Sequence, residues 1–138
     1  DARRCISYHT IELRGAIPVE FRKAMGNRIF GCDDCQLYCP WNRFEKKSAL
    51  ADFAVRNHLD APDLIDLFSW SEEQFLQNTQ GSVIRRIGYE CWLRNIAVAL
   101  GNAPHTQDVI NALKEKQNHT SKLVCEHVIW ALEQHNAQ

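Results

Sequence analysis

The sequence predicts a mainly α chain in two parts, an irregular cysteine-bearing segment over residues 1–47 and an α-helical repeat-like module over residues 48–138. Three observations predict it. Gly15, Pro18, Gly26, Gly31 and Pro40 break the first part into short pieces. Through most of the second part apolar residues recur at helical spacing, and strand-type alternation is missing. Four of the six cysteines, Cys5, Cys32, Cys35 and Cys39, fall in the first part, whereas Cys91 and Cys125 stand alone in helical stretches.

In the first part, IPVEFRKAMG offers one short helix, with Pro18 near its first turn, where a missing N–H costs nothing, and Gly26 past its end. In the second, APDLIDLF and SEEQFLQN read as short helices. The latter opens on Ser71 with Gln74 three residues on, the pairing of a capping box. SVIRRIGYECWLRNIAVAL is expected to form one long amphipathic helix that stops at Gly101 and Asn102. TQDVINALKEKQ and SKLVCEHVIWALEQH complete the set. Helices of this length, joined by short loops, each bury a face by stacking in antiparallel pairs.

On these helices Cys91 shares a face with Ile84, Ile87 and Val98, and Cys125 shares one with Val128, Ile129 and Leu132. Both are expected in the core as small apolar side chains. Arg86, Glu90 and Arg94 fall on one stripe of the long helix, with Arg85 beside it. Such a stripe is either a salt-bridged surface, each pair worth about 0.3–0.5 kcal/mol, or an arginine-lined edge that holds phosphates.

Composition limits the function classes. A hydrophobic content of 45% suits a chain that buries a core, and no apolar run approaches the ~20 residues needed to span a bilayer. DARRCISYHT lacks the layout of an export signal, so the expected location is cytoplasmic, without a membrane partner, and a disulfide-stapled secreted domain is disfavoured. The opening on a charged segment without methionine suggests a piece of something longer. Residues 1–47 carry nine Lys or Arg against six Asp or Glu, and residues 48–138 seven against eleven; neither half is basic enough to announce a nucleic-acid binder by composition.

The chemistry lies in GCDDCQLYCPWN. Cys32-x2-Cys35-x3-Cys39-Pro40 reproduces the last three thiols and the proline of the bacterial ferredoxin signature C-x2-C-x2-C-x3-C-P. A 4Fe-4S cubane takes soft thiolates at its corners, and a tight loop delivers several from adjacent turns. The thiol that should precede Cys32 is missing, because position 29 is isoleucine; Cys5 is the available substitute. The same residues allow a zinc-stabilised binding module, with Cys5, Cys32, Cys35 and either Cys39 or His9 as a tetrahedral set. The x3 spacing and Cys-Pro argue for iron. A purely structural helical protein with incidental thiols is the third reading.

DARRCISY, GNRIFGCDDCQLYCPWN and IRRIGYECWLRNIAVALGN together resemble the C-terminal part of epoxyqueuosine reductases, the cobalamin- and iron-sulfur-dependent enzymes of tRNA queuosine modification, over nearly the whole chain. The resemblance implies a partial ferredoxin-like 4Fe-4S segment followed by an α-helical HEAT-like repeat module. It implies two 4Fe-4S clusters, with Cys5, Cys32 and Cys35 holding three corners of one and Cys39 reaching to the other, and cobalamin as the site of reduction. The remaining thiols, the catalytic carboxylate and most of the corrin pocket would lie outside this chain, which alone would be inactive and holds no catalytic residue. Ser7, Asp33 and Asp34 are the cobalamin contacts it suggests, against plain turn formation. Arg14, Arg85, Arg86 and Arg94 are the candidates for the backbone of a tRNA carrying epoxyqueuosine. An external electron donor and a monomeric enzyme complete the expectation.

Overall fold

Helices begin where a polar side chain can take the first free N–H groups. The computed structural model describes residues 1–50, 54–57 and 59–137. Among them α1 is Val19–Met25, α2 Asp34–Leu37, α3 Leu64–Ser69, α4 Glu72–Asn78, α5 Tyr89–Gly101, α6 Gln107–Glu115 and α7 Lys122–Asn136. Single 3-10 or π turns occupy Ala2–Arg4, Tyr8–Glu12, Pro40–Phe44 and Val83–Ile87. No strand occurs among the described residues, so the chain is mainly α.

The expected starts and stops recur. Pro18 precedes α1, and Gly26 ends it at φ 57°. α3 opens on a cap that was not singled out, the Asp63 carboxylate accepting from the Ile65 N–H at 2.7 Å. At α4 the capping box is complete: the Ser71 hydroxyl accepts from the Gln74 N–H and the Gln74 side chain accepts from the Ser71 N–H.

The long helix expected over residues 82–100 is broken. Val83–Ile87 forms a 3-10 turn, and Gly88 at φ 78° turns the chain before α5 begins. Only glycine takes that conformation without strain. The carbonyls released at the break are not wasted, because the Arg14 guanidinium donates to Ile87 O at 2.7 Å and Arg86 O at 3.0 Å. The break removes the Arg86-Glu90-Arg94 stripe: Arg86 is exposed, and Arg94 is wholly buried.

Nor is α5 amphipathic. Every residue from Cys91 to Gly101 is buried, because α7, α3 and α1 pack around it. Trp92 stacks on Trp70 at 5.8 Å and meets Phe75 at 5.6 Å. At the other end of α5, Gly101 lets α7 come close: a Cβ there would lie 2.7 Å from the Trp130 ring and 2.9 Å from the Ala131 Cα. Ile17 and Met25, from the first part of the sequence, join the same apolar cluster as Trp92, Leu100 and Val128.

Cys91 is in this core, as its helical position implied. Cys125 is only half-buried, and its thiol donates to His119 O at 2.9 Å. Ile129, placed on the same face by the sequence, is 45% exposed, because α7 turns that side outward. No helix among the described residues is long and apolar enough to cross a membrane.

Candidate metal centre

Two segments carry the early thiols. Cys5 ends the Ala2–Arg4 turn in extended conformation, and the chain then coils into a helical stretch through Glu12. Cys5 therefore sits where free N–H groups gather at a helical start. The N–H groups of Tyr8 and Ser7, with the Ser7 hydroxyl, draw its thiol below the ordinary cysteine range. Such an environment favours the thiolate that ligates metal.

Cys32, Cys35 and Cys39 lie on a loop and the one-turn helix α2. Gly31 at φ 74° and Asp33 at φ 57° bend the chain on either side of Cys32. Arg28 pairs with Asp34 at 3.0 Å across this bend. Its guanidinium, with the Cys32 thiol as second donor, holds the Asp34 carboxyl below the usual range. After Cys39, the Asn42 amide donates back to Gln36 O at 2.7 Å, folding the Pro40–Phe44 turn onto α2.

A buried polar frame holds the two segments side by side. The Gly31 N–H donates to the Thr10 hydroxyl at 3.0 Å. The Asn95 amide donates to Thr10 O and to Ile29 O, both at 2.8 Å. Next to it Arg94 uses all five of its N–H groups, on Leu13 O, Gly15 O, His9 O and twice on the Asn95 side-chain oxygen. Burial pushes the Arg94 guanidinium below its ordinary range, and these bonds offset that cost. Thr10 and Asn95 were not singled out by motif. The signal that could have found Asn95 is the pair Arg94-Asn95 interrupting the otherwise apolar run CWLRNIAVAL, since buried polar groups must find partners.

The site residues expected from sequence divide accordingly. Cys5 and Cys35 are exposed, Cys32 and Cys39 half-buried, and all four are free thiols. Among the described residues, no three His, Cys, Asp or Glu side chains are gathered tightly enough to hold a metal ion. Ser7 is half-buried beside the Cys5 thiol, Asp33 is exposed, and Asp34 is engaged with Arg28. Arg85 and Arg86 are exposed, and Arg86 pairs with Glu12.

Two expectations need correction. Arg94 is 0% exposed with every donor used, so it has no surface to offer a phosphate and is instead part of the frame. His9, the alternative zinc ligand, is buried in the interior with its ring 4.4 Å from that of Phe21. Burial first, and then Arg94, lower its pKa. It packs in the core while Cys5 faces solvent, because a ring at that position of the helical turn points inward.

The donor chemistry fits an iron-sulfur group: four thiols outside any disulfide on two adjoining segments, with N–H groups directed at the Cys5 sulfur. Beside them Leu37, Tyr38, Trp41 and Phe44 form an exposed apolar run.

Comparisons with known proteins agree with this chemistry. Residues 1–42 match the model of a 4Fe-4S double cluster binding domain. The chain is 60% identical over 135 residues to an epoxyqueuosine reductase of Pseudomonas aeruginosa, covering 98% of this chain and 37% of that protein. It is likewise 60% identical to the epoxyqueuosine reductase of Escherichia coli, covering 97% of this chain and 35% of that one. A crystal structure of a selenomethionine-labelled epoxyqueuosine reductase superposes with a TM-score of 0.87 at 26% identity, over 97% of this chain and 36% of that chain. An epoxyqueuosine reductase crystallised with a tRNA-Tyr epoxyqueuosine-modified stem loop shares the fold, with a TM-score of 0.70 at 20% identity, over 98% of this chain and 44% of that chain. The chain thus spans just over a third of the length of the relatives it matches.

Proposed function

We propose that the chain, 60% identical to epoxyqueuosine reductases over nearly its whole length, is the iron-sulfur part of such an enzyme, which reduces epoxyqueuosine to queuosine in tRNA. In this reading residues 1–47 are part of a ferredoxin-like 4Fe-4S unit and residues 48–138 a HEAT-like module. When bound, 4Fe-4S clusters and cobalamin supply low-potential one-electron transfer and the reducing centre. This chain's residues hold and shape what surrounds them. Cys5, Cys32 and Cys35 would bind one cluster and Cys39 the other. Ser7, by its hydroxyl on the Cys5 thiol, and Asp33 and Asp34, on the bend between two ligands, are the side chains assigned to the corrin side.

The observation that carries the reading is the set of four free thiols on two segments pinned together by Thr10 and Asn95, within a stretch that matches a double-cluster domain. A double 4Fe-4S domain uses about eight thiolates, more than the four early cysteines here. The remainder therefore comes from outside this segment. For tRNA, support comes from the exposed Arg85 and Arg86 and from Arg14 behind them. The enzyme so described works in the cytoplasm as a monomer with an external electron donor.

The test is turnover by the full-length protein, anaerobic, reconstituted with iron, sulfide and cobalamin and supplied with excess low-potential chemical reductant as the two-electron source, on a stem loop that carries epoxyqueuosine. Queuosine should form with wild type and be lost with Cys35→Ser. Product formation that survives Cys35→Ser would refute the ligand assignment, and none with the loaded wild type would refute the reaction.

A further inference from the structure

We propose that Thr10 is a positioning residue for the thiols of Cys5 and Cys32, its hydroxyl fixing the separation of the two segments that carry them. The inference rests on the iron-sulfur reading above.

The geometry is specific. Thr10 is wholly buried. Its hydroxyl proton is donated to Ile6 O at 2.9 Å, with Ser7 O a longer second acceptor at 3.3 Å, and an oxygen lone pair accepts from the Gly31 N–H at 3.0 Å. Ile6 directly follows Cys5, and Gly31 directly precedes Cys32. One oxygen thus bridges the neighbours of two proposed ligands that lie 27 positions apart in the chain. The backbone of Thr10 is itself fixed, because Asn95 donates to Thr10 O and Ile29 O. Arg94 holds the Asn95 side-chain oxygen with two N–H groups at 2.9 and 3.1 Å, which sets the orientation of that amide.

Mere packing would need only the methyl and the volume of Thr10. The hydroxyl adds the distance between the two thiol-bearing segments. Cluster potential responds to hydrogen bonding around the sulfurs and to solvent exposure. A loop released at Gly31 would change both at Cys32, and leave a second cluster held through Cys39 less affected. Thr79 is the control: it is equally buried, and its hydroxyl donates to Phe75 O at 2.6 Å, within α4 and its C-terminal turn, remote in sequence from the thiols.

The experiment uses the full-length protein, loaded anaerobically with iron and sulfide, as wild type, Thr10→Val, Thr10→Ser and Thr79→Val. Two quantities are read: midpoint potentials by EPR-monitored titration, and amide hydrogen exchange over residues 29–34. In Thr10→Val one cluster should shift its reduction equilibrium by about tenfold or more, about 59 mV for a one-electron couple, while the other stays put. Exchange over 29–34 should accelerate by about tenfold, the factor of one lost hydrogen bond. Thr10→Ser should restore wild-type values in both, and Thr79→Val should move neither. Unchanged potentials and exchange in Thr10→Val, or equal shifts in Thr79→Val, would overturn the proposal. Should Thr10→Val not fold, fast exchange at Gly31 in the wild type, or loss of the potential in Thr10→Ser, would overturn it as well. A wild type without any reducible centre would overturn the iron-sulfur reading itself, and is seen before any substitution is compared.

Discussion

The Ile17 N–H donates to His127 Nε2 at 3.1 Å, a buried bond between the first loop of the chain and its last helix. It requires a neutral ring whose Nδ1–H donates to Leu123 O at 2.7 Å. Burial pushes the His127 pKa down to about 4; the Leu123 carbonyl opposes this, Arg22 and Arg94 add to it, and Glu126 works against it.

A pH dependence follows. Between about pH 6.5 and 4 the unfolded chain takes up a proton at this histidine that the folded chain refuses. Stability is therefore complete above pH 6.5, falls as the pH drops towards 4, and levels below that. The loss is about 3 kcal/mol. Urea unfolding at pH 7.5 and 4.5 should show it, and His127→Gln should flatten the difference by most of that amount.

Removing Arg94 should act on the fold. Arg94→Lys keeps the charge but offers three donors in place of five, and leaves acceptors among Leu13, Gly15 and His9 unmet. A destabilisation of about 2–4 kcal/mol is expected from these lost buried bonds. In the full-length enzyme the salt dependence of tRNA binding should be unaltered by this substitution, because the side chain has no exposed surface.

Arg85 should behave in the opposite way. It is exposed, and among the described residues it makes no ion pair. Arg85→Ala should leave stability within about 0.5 kcal/mol and flatten the slope of log affinity for tRNA against log salt by about 1. Filter binding of the full-length protein across salt concentrations measures the slope. An unchanged slope removes Arg85 from the RNA surface.

Gly101→Ala should cost about 1–3 kcal/mol through overpacking against Trp130 and Ala131. Gly15→Ala, where an added methyl would meet nothing within 4 Å, should be near neutral. Thermal unfolding of the two variants side by side checks the contrast.

Local signals carried most of the helical reading, because caps act within a few residues of the groups they satisfy. Ser71 with Gln74, Pro18 and Gly26 all end or start helices where their chemistry implied. What was not legible depended on distant partners. Gly88 in SVIRRIGYECW reads as a tolerated helical glycine until Arg14, more than seventy residues earlier, is seen to take the carbonyls freed at the break. Arg94 on an apparent surface stripe becomes a core residue for the same reason, since its acceptors come from residues 9–15. The thiols were visible as a motif, whereas Thr10, which no spacing marks, is visible only once Gly31 lies against it.

Everything proposed for this chain depends on Cys5, Cys32, Cys35 and Cys39 serving as ligands of iron-sulfur clusters. Iron and zinc analysis with EPR of the reduced, anaerobically purified full-length protein tests it most directly. About eight iron per chain are expected, with paramagnetic reduced centres and loss of different clusters in Cys32→Ser and Cys39→Ser. Stoichiometric zinc without a reducible signal, or an iron content untouched by either substitution, would contradict it.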